Sequence, residues 1–330
     1  MFNDSNIIIT GGTGSFGKSY LKYLLNNYNP RRIVVLSRDE MKHWKLQALY
    51  KNNQNVRFFL GDVRDKDRLM MAFKNIDYVI HAAAQKIVPT AEYNPFECVK
   101  TNVIGAMNVI EAAIHNNVKK VVALSTDKAS SPVNLYGATK LASDKLFVAG
   151  NVYSGQDGCM FSVVRYGNVI GSRGSIIPTL MSKKINGENK FDLTHLEMTR
   201  FMINLEQASE MVTTAFQDML GGEIYVKKIP SMKIIDLVNS LLLEPEIKII
   251  GLREGEKLHE QMISEEESSY TFDYDNYYKI LPSINSWHTS RERIKNGKTV
   301  PENFSYNSNH NQSWMTSEQL LFEVSKLQIN

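Results

Sequence analysis

Cysteine is scarce in this sequence, and no tract carries charge of a single sign. The two cysteines among 330 residues, Cys98 and Cys159, cannot build a disulfide framework and show no metal-ligand spacing, so we expect no metal site. The 38 basic and 35 acidic side chains give a formal net charge of +3. This near balance does not predict binding to nucleic acid or to a membrane surface.

Long apolar runs are also missing. No run approaches the roughly 20 residues that cross a bilayer, and the N-terminus lacks the pattern of a signal peptide. The hydrophobic content of 43% is ordinary for a soluble globular protein, and the length allows about two domains. We therefore predict a soluble, cytoplasmic protein.

A glycine-rich turn follows the first apolar segment. Residues Asn6 to Thr10 resemble a strand, and an apolar helix pattern begins after Gly17. A turn between a strand and a helix places backbone N–H groups and the positive helix end where a pyrophosphate can bind. The order predicts a dinucleotide site that includes Gly11, Thr13, Gly14, Ser15, Phe16 and Gly17.

The end of the second predicted strand, Arg32 to Leu36, bears on the choice of cofactor. Enzymes that use NAD usually carry an acid here for the ribose 2′-hydroxyl. A serine and an arginine come first in this chain, with a lysine nearby, which favours NADP(H), although two acids also lie close. The residues expected at the adenosine ribose are Ser37, Arg38, Asp39 and Lys42.

Two further strands are predicted at Val56 to Leu60 and Tyr78 to Ile80. The first ends in Asp62 and Val63, which are placed to edge the adenine ring. The second ends in His81 and then in small residues that let a cofactor lie against the backbone, namely Ala82, Ala83 and Ala84. His81 fits a packing histidine better than a catalytic base. The alternation of strands and helices through residue 140 predicts an α/β fold with a doubly wound parallel sheet.

The stretch from Leu124 to Lys140 carries the candidate chemistry. Tyr136 and Lys140 are four residues apart, so they share one face of a helix. An adjacent ammonium favours the ionised tyrosine, so we expect the pKa of Tyr136 to fall from about 10 toward neutrality. The preceding strand ends in three polar side chains, Thr126, Asp127 and Lys128, where open α/β sheets bind ligands. An ordinary solvated charge pair is the alternative for the last two.

With these motifs the chain resembles the extended short-chain dehydrogenase/reductases, and within them the inverting UDP-N-acetylglucosamine 4,6-dehydratases that begin pseudaminic acid synthesis. The resemblance covers nearly the whole chain. The motifs that carry it include Thr10-Gly-Gly-Thr-Gly-Ser-Phe-Gly17, Leu124-Ser-Thr-Asp-Lys-Ala129, Asn134-Leu-Tyr-Gly-Ala-Thr-Lys140, Met198-Thr-Arg-Phe201 and Gly255-Glu-Lys-Leu-His-Glu260. Retaining dehydratases carry Thr-Asp-Glu where this chain has Thr126-Asp-Lys128.

The resemblance implies a domain division and a set of binding residues. It implies a Rossmann domain at 1–170 and a mainly nucleotide-sugar-binding region at 171–330, with the segment around 223–228 returning to the sheet. It adds Val169, Lys86, Tyr136 and Lys140 to the cofactor site. The substrate, UDP-N-acetylglucosamine, is implied to contact Lys86, Thr126, Asn168, Arg173, Thr199 and Arg253. A surface loop charge is the alternative for Arg253. A helix over about 94–116 and the helix of Tyr136 suggest a homo-oligomer.

The implied reaction assigns a role to each catalytic residue. Tyr136 takes the O4 proton while NADP+ accepts hydride from C4, Lys140 lowers the tyrosine pKa, and Thr126 bonds O4. Lys128 and Asp127 are the candidates for the base at C5 and the acid at the C6 hydroxyl, in that order. Lys128 needs a lowered pKa for this role and Asp127 a raised one. Hydride then returns to C6, so the cofactor is recycled.

Other functions stay open at the level of sequence. A C4 epimerase or a retaining dehydratase would use the same Tyr136, Lys140 and cofactor site, although an epimerase needs no acid and base at 127 and 128. A non-catalytic NADP(H)-binding regulator is a third alternative, and the Tyr/Lys pair argues against it. The chain departs from its relatives at Ile87, where the family commonly has histidine.

Overall fold

The strands of the chain are short and rich in buried β-branched side chains. In a computed structural model, which describes residues 1–327, both faces of the central strands are covered by other elements. The strands are β1 Asn6–Thr10, β2 Arg32–Ser37, β3 Val56–Leu60, β4 Tyr78–His81, β5 Lys120–Leu124, β6 Met160–Arg165, β7 Asn168–Val169, β8 Lys190–Leu193, β9 Thr199–Ile203, β10 Ile224–Lys227, β11 Ser231–Lys233, β12 Glu246–Ile249, β13 Gln261–Ile263, β14 Thr271–Asp273, β15 Tyr277–Ile280, β16 Lys298–Thr299 and β17 Tyr306–Asn307.

The main sheet is parallel through most of its width. Its parallel strands lie in the order β3-β2-β1-β4-β5-β6-β10, and β15, β14 and β16 continue it in antiparallel pairing. The strand order reverses between β1 and β4, which opens a crevice at the carboxyl ends of these strands. The predicted doubly wound parallel sheet is therefore confirmed.

Helices cover the sheet and connect its strands. They are α1 Ser15–Asn27, α2 Glu40–Tyr50, α3 Lys66–Ala72, α4 Val88–Tyr93, α5 Pro95–Val99, α6 Gly105–His115, α7 Leu135–Ser154, α8 Ile176–Ile185, α9 Leu205–Asp218, α10 Ile234–Leu241, α11 Arg291–Ile294 and α12 Ser317–Ser325. Among residues 1–327, no helix is long and apolar enough to cross a membrane.

The helix predicted over about 94–116 is observed over 95–115, as α5 and α6 joined by a π-helical turn. Pro95 has no N–H to donate, so a new helix starts there. A π-helical turn then spans Lys100–Ile104, and the N–H of Gly105 reaches back to the carbonyl of Lys100. Within this wide turn Asn102 accepts the Gln85 N–H at 2.8 Å and donates to the Gln85 carbonyl at 3.0 Å. The irregular turn thus fixes the loop that borders the crevice.

Two apolar cores support the fold. The larger surrounds the main sheet, and the smaller packs α8, α10 and α12 around β9 and β11. Residues beyond 170 build the smaller core and also contribute β10 and β14 to β16 to the main sheet. The predicted division of the chain at residue 170 stays a prediction. Residues 328–330 of the predicted region 171–330 lie outside the described part of the chain. Both cysteines are free and buried.

Candidate active site

A cavity of about 780 Å³ lies at the carboxyl ends of the central parallel strands. All residues predicted for the cofactor line it, and so do most of the catalytic candidates. The cofactor set is Gly11, Thr13, Gly14, Ser15, Phe16, Gly17, Ser37, Arg38, Asp39, Lys42, Asp62, Val63, Ala82, Ala83, Ala84, Lys86, Tyr136, Lys140 and Val169. The structure therefore brings these residues to one cleft, while their role in binding stays a prediction.

The glycine-rich turn leaves room and donors for a diphosphate. Gly11 has φ +65°, and a Cβ there would lie 2.8 Å from the backbone of Ala82 and Ala83. Helix α1 begins after Gly14, which has an extended conformation and provides no side-chain cap. The first N–H groups of α1 consequently lack a side-chain partner, and the helix dipole favours an anion at the same place. This geometry fits the pyrophosphate of a dinucleotide.

Arg173 lies against this turn from the opposite side of the cleft. Its guanidinium donates to the Thr13 carbonyl at 2.9 Å, and its backbone N–H donates to the Ser15 hydroxyl at 3.3 Å. The sequence predicted that Arg173 contacts the substrate. The structure places it at the glycine turn, beside the predicted dinucleotide site.

At the end of β2, the acids near Arg38 form hydrogen bonds and ion pairs with neighbouring residues. Asp39 caps α2 by accepting the Lys42 N–H at 2.9 Å, and it also forms an ion pair with the Lys42 side chain. These Lys42 contacts lower the pKa of Asp39. Arg38 is 53% exposed and lies 3.7 Å from the Asp62 carboxylate. Asp39 is therefore occupied by capping, and Arg38 stands at the rim of the cleft.

Tyr136 and Lys140 lie on the first turns of α7, which Asn134 caps by accepting the Gly137 N–H at 2.8 Å. Burial raises the pKa of Tyr136 to about 12, although Lys128 and a hydrogen bond with Thr126 oppose the rise. The expected fall in the pKa of Tyr136 is therefore wrong. Burial also lowers the pKa of Lys140, against the attraction of Asp144. For each of the two groups, the cost of burying its charge outweighs the attraction of the groups beside it.

Lys128 also differs from expectation. Its Nζ lies 3.1 Å from Asp127 Oδ1 and 2.9 Å from Glu260 Oε1. Burial alone would lower the pKa of Lys128, but the two carboxylates outweigh it and hold that pKa above its ordinary value. The lowered pKa that a resting base requires is not present, because Glu260, remote in sequence, adds a second negative charge.

Asp127 lies behind the wall of the cleft. It belongs to a 3₁₀ turn, Asp127–Ala129, and its side chain is 1% exposed. Its Oδ1 accepts from the Thr126 hydroxyl at 2.8 Å and from the Lys128 ammonium. Burial raises the pKa of Asp127, as an acid requires. Thr126 and Lys128 line the cavity, whereas Asp127 reaches it only through these two neighbours.

The predicted substrate residues divide into two groups. Lys86, Thr126, Asn168 and Arg173 line the cavity, as does Ile87, which is 51% exposed. Thr199 does not line it, because its hydroxyl is buried against His259 Nδ1 at 2.8 Å and Ser308 Oγ at 2.7 Å. Arg253 is exposed outside the cavity. Within residues 1–327 the Arg253 guanidinium forms no ion pair or hydrogen bond, and the backbone N–H of Arg253 donates to Glu256 Oε2 at 3.3 Å.

His81, at the end of β4, is a buried side chain next to the cleft. His81 bonds the Thr10 hydroxyl at 2.9 Å, and burial with the nearby Lys140 lowers its pKa to about 3. It is therefore a neutral packing side chain. In the described part of the chain no group of three or more His, Cys, Asp or Glu side chains has metal-binding geometry.

Sequence reasoning gave no role to several charged residues near the site. Glu260 contacts Lys128, and Arg200 Nε lies 3.6 Å from Glu260 Oε1. On α7, the Asp144 carboxylate accepts the Ser125 hydroxyl at 2.8 Å and lies 3.5 Å from Arg165, whose side chain is fully buried. The only sequence signal for these roles was the presence of charged residues within short motifs. Which of these residues pair with one another depends on the tertiary fold.

Comparison with known proteins shows the family to which the chain belongs. A family profile described as polysaccharide biosynthesis protein matches residues 7–282. The chain is 52% identical, over 97% of both chains, to the UDP-N-acetylglucosamine 4,6-dehydratase (inverting) of Campylobacter jejuni strain 81-176. It is also 41% identical to the UDP-glucose 4-epimerase of Rickettsia bellii strain OSU 85-389, over 85% of this chain and 84% of that protein.

Two solved structures share the fold. Pen from Bacillus thuringiensis is 37% identical, with a TM-score of 0.89 and coverage of 99% of both chains. A double mutant of the dTDP-glucose 4,6-dehydratase DesIV from Streptomyces venezuelae, solved with NAD and DAU bound, is 21% identical with a TM-score of 0.68. That match covers 76% of this chain and 86% of DesIV. At this identity the second likeness concerns the fold alone.

Proposed function

The chain belongs to the polysaccharide biosynthesis protein family, and from that premise we propose that it is an NADP-dependent, C5-inverting UDP-N-acetylglucosamine 4,6-dehydratase. The product is a UDP-2-acetamido-2,6-dideoxy-hexos-4-ulose, the first intermediate of a pseudaminic acid-type sugar. One observation carries the proposal: Lys128, Thr126, Tyr136 and Lys140 line the same cleft as the dinucleotide turn. The identity of 52% to an enzyme named for this reaction supports it.

The cofactor we propose is NADP. The uncapped start of α1 and the small residues after β4 fit a dinucleotide, and Arg38 at the rim suits a 2′-phosphate because its fork can make two charge-assisted bonds. When bound, the nicotinamide accepts hydride from C4 and later returns it to C6. The residues expected to hold the ribose and the diphosphate are Lys140, the glycine turn and Arg173.

Tyr136 acts first in the proposed reaction. Its phenolate removes the proton of O4 as C4 is oxidised, and Thr126 bonds the same oxygen. A pKa of about 12 makes ionisation costly in the free protein. Cationic groups near the phenol lower this cost, and both Lys128 and the ammonium of Lys140 lie in the same cleft. Oxidation at C4 acidifies the proton at C5.

The elimination step then needs a base and an acid. The unprotonated amine of Lys128 takes the C5 proton, the electron pair forms the C5–C6 double bond, and the C6 hydroxyl leaves as water with a proton from Asp127. Asp127 does not line the cleft, and in the structure the Thr126 hydroxyl donates to its Oδ1. Once Asp127 is protonated this bond reverses, and the proton passes through Thr126. C5 is afterwards protonated on the opposite face by a proton that comes from solvent, and a bound nicotinamide would return hydride to C6.

Substrate recognition uses the cationic side of the cleft. Lys86 lines it, and burial together with the nearby Arg173 and Lys128 lowers its pKa. We propose Lys86 and Asn168 as contacts to the nucleotide sugar. Thr199 and Arg253 stay predictions that require a movement of the loops around them, since neither lines the cavity.

We further propose a homo-oligomer through the segment 95–115 and α7. These elements expose apolar side chains, among them Val99, Ile104, Met107, Val152 and Tyr153. Exposed apolar clusters of this kind are typical of contact surfaces between subunits.

The proposed reaction can be followed directly by NMR. Incubation with UDP-N-acetylglucosamine and NADP+ in deuterium oxide is expected to give a 4-keto-6-deoxy sugar with inverted configuration and deuterium at C5, because C5 is reprotonated from a group that exchanges with solvent. A product with retained C5 configuration, a C4 epimer, or no reaction would contradict the proposal.

A C4 epimerase is the second candidate, supported by the identity of 41% to UDP-glucose 4-epimerases of Rickettsia. Epimerisation needs no acid or base at C5, so it leaves the Lys128 cluster without a role. The same NMR experiment separates the two, because an epimerase reduces its 4-keto intermediate again and releases no 4-keto-6-deoxy sugar. A non-catalytic NADP(H)-binding regulator would leave the sugar unchanged.

Cofactor choice is expected to depend on Arg38. In Arg38→Ala the Kd for NADP+ should rise by about 10- to 100-fold, because one or more charge-assisted hydrogen bonds to the 2′-phosphate are lost. The Kd for NAD+ should change little, since NAD+ lacks that phosphate. Titration calorimetry measures both, with Lys45→Ala on α2 as the control. Equal losses for the two dinucleotides would contradict a role in selecting NADP.

A further inference from the structure

Three distant parts of the chain meet at the Lys128 ammonium. Asp127 is its neighbour in sequence, Glu260 immediately precedes β13, and Arg200 lies on β9. The ammonium lies between Asp127 Oδ1 and Glu260 Oε1 at 3.1 and 2.9 Å, and Arg200 Nε lies 3.6 Å from the same Glu260 oxygen. Lys128 is therefore held on its interior side by a built network, while its side chain remains 22% exposed toward the cleft.

The backbone fixes Glu260 in place. Its N–H donates to the Ser308 hydroxyl at 2.9 Å, and its carbonyl accepts the Ser308 N–H at 2.8 Å. The side chain is 2% exposed, and its Oε2 is buried without a hydrogen-bond partner in residues 1–327. A buried carboxylate with so few partners is costly unless the cation beside it is always present. Its geometry is accordingly specific for the Lys128 ammonium.

We propose that Glu260 is a positioning residue, whose carboxylate anchors the Lys128 side chain at the cleft and governs when that side chain carries a proton. The inference rests on the proposed function, because it assigns Glu260 to the proton transfer at C5. Arg200 holds Glu260 in turn, and its own guanidinium is fixed by the carbonyls of Thr199 and Lys257 at 2.7 and 3.0 Å.

Glu260, rather than Asp127, is the carboxylate that stays ionised beside the Lys128 ammonium. Burial raises the pKa of Asp127, so this carboxyl takes up a proton first. Burial acts on Glu260 in the same direction, but Lys128 and Arg200 outweigh it and hold the pKa of Glu260 below its usual range. With Asp127 protonated as the acid of the reaction, Glu260 is the carboxylate that keeps the Lys128 ammonium charged.

Other titratable groups near Lys128 do not replace this carboxylate. The charged and titratable side chains that face Lys128 are Asp127, Tyr136, Lys86, Arg200, Lys257 and Glu260. Of these side chains, only Asp127 and Glu260 are carboxylic acids, whose ordinary pKa lies below 7. The cationic side chains repel the Lys128 ammonium and therefore favour its unprotonated form. Removing the charge of Glu260 must consequently lower the pH at which Lys128 loses its proton.

Glu260→Gln tests the proposal, because glutamine keeps the shape and the carbonyl acceptor while losing the charge. If Lys128 must be unprotonated, kcat of the wild type rises with pH, and this rise should move to lower pH by about 1 to 3 units in the variant. The KM should change little, since Glu260 does not line the cleft. Glu256→Gln is the matched control, because Glu256 lies 3.7 Å from Arg200 and has no ion pair with Lys128 in the described residues.

A second measurement needs no substrate. Competitive labelling of Lys128 with acetic anhydride, followed by peptide mass spectrometry, reports the unprotonated fraction of this amine at each pH. The labelling curve should move to lower pH in Glu260→Gln by the same amount as the kcat curve, and should stay in place in Glu256→Gln. Curves of Glu260→Gln that coincide with the wild type, or an equal shift in the control, would overturn the proposal.

The two measurements separate this inference from the function on which it rests. A wild-type protein that forms no keto sugar contradicts the proposed function, and a labelling shift in the same preparation still supports the control of Lys128 by Glu260. If the keto sugar forms and neither curve shifts, the role of Glu260 fails alone. A uniform drop of kcat at all pH values, without a shift, would indicate a structural role and also overturn it.

Discussion

Lys128→Met is expected to abolish dehydration and leave NADP+ affinity within about twofold. The methionine keeps the length of the side chain and removes the amine that takes the C5 proton, and loss of a general base typically lowers kcat by about 10²- to 10⁴-fold. Oxidation at C4 transfers no proton to this amine, although loss of the Lys128 charge raises the pKa of Tyr136 and should slow this step without stopping it. Mixing enzyme, NADP+ and substrate should therefore give reduced nicotinamide that accumulates, visible by its near-ultraviolet absorbance.

The substitution also leaves two buried carboxylates, Asp127 and Glu260, without their shared cation. Removing one partner of such a pair is destabilising by about 3 to 5 kcal/mol. The double variant Lys128→Met/Glu260→Gln removes the unpaired charge of Glu260, so it should unfold at a higher temperature than the single variant and be equally inactive. Lys100→Met, at a side chain that is 59% exposed, is the control. Loss of NADP+ binding in the folded double variant would instead indicate a structural role for Lys128.

Tyr136→Phe should stop the reaction one step earlier. The substitution removes only the hydroxyl, so α7 and its packing remain, but no group takes the O4 proton as C4 is oxidised. We expect kcat to fall by about 10²- to 10⁴-fold, and no reduced nicotinamide should accumulate during a single turnover. Stopped-flow absorbance distinguishes this result from the accumulation expected for Lys128→Met.

Tyr153→Phe on the same helix is the matched control, because Tyr153 is 79% exposed and lies far along α7 from the cleft. It should retain wild-type turnover. Accumulation of reduced nicotinamide in Tyr136→Phe would contradict the role of Tyr136 as the base at O4 and would assign that proton to another group, for which Thr126 is the neighbouring hydroxyl.

Local pattern predicted the strands and the glycine turn well. The predicted segment Asn6 to Thr10 coincides with β1, and Val56 to Leu60 coincides with β3. Short apolar runs between turn residues carry this signal themselves, because most side chains of a central parallel strand such as β1 are buried. The turn at Gly11 follows from the same local order, so the position of the dinucleotide site could be inferred before the fold was known.

The electrostatics of the site could not be predicted in this way. Lys128 and Glu260 are separated by more than a hundred positions, and no periodicity links them. The shift of the Tyr136 pKa depends on whether burial or a nearby ammonium has the larger effect, and the extent of burial is a property of the assembled protein. The interruption near Pro95 had a local signal, but the π-turn at Lys100–Ile104 depends on the contact of Asn102 with Gln85.

The contact of Arg173 with the glycine turn bears on how long a dinucleotide stays in the protein. The loop around Arg173 is bonded to Thr13 and Ser15 of this turn, where we propose that the diphosphate binds. A reaction that returns its hydride consumes no cofactor, so nothing in the cycle requires this loop to open toward the dinucleotide. Exchange of the cofactor would then be set by the loosening of Arg173 from Thr13, independently of turnover. A dinucleotide held in this way behaves as a resident prosthetic group and not as a second substrate.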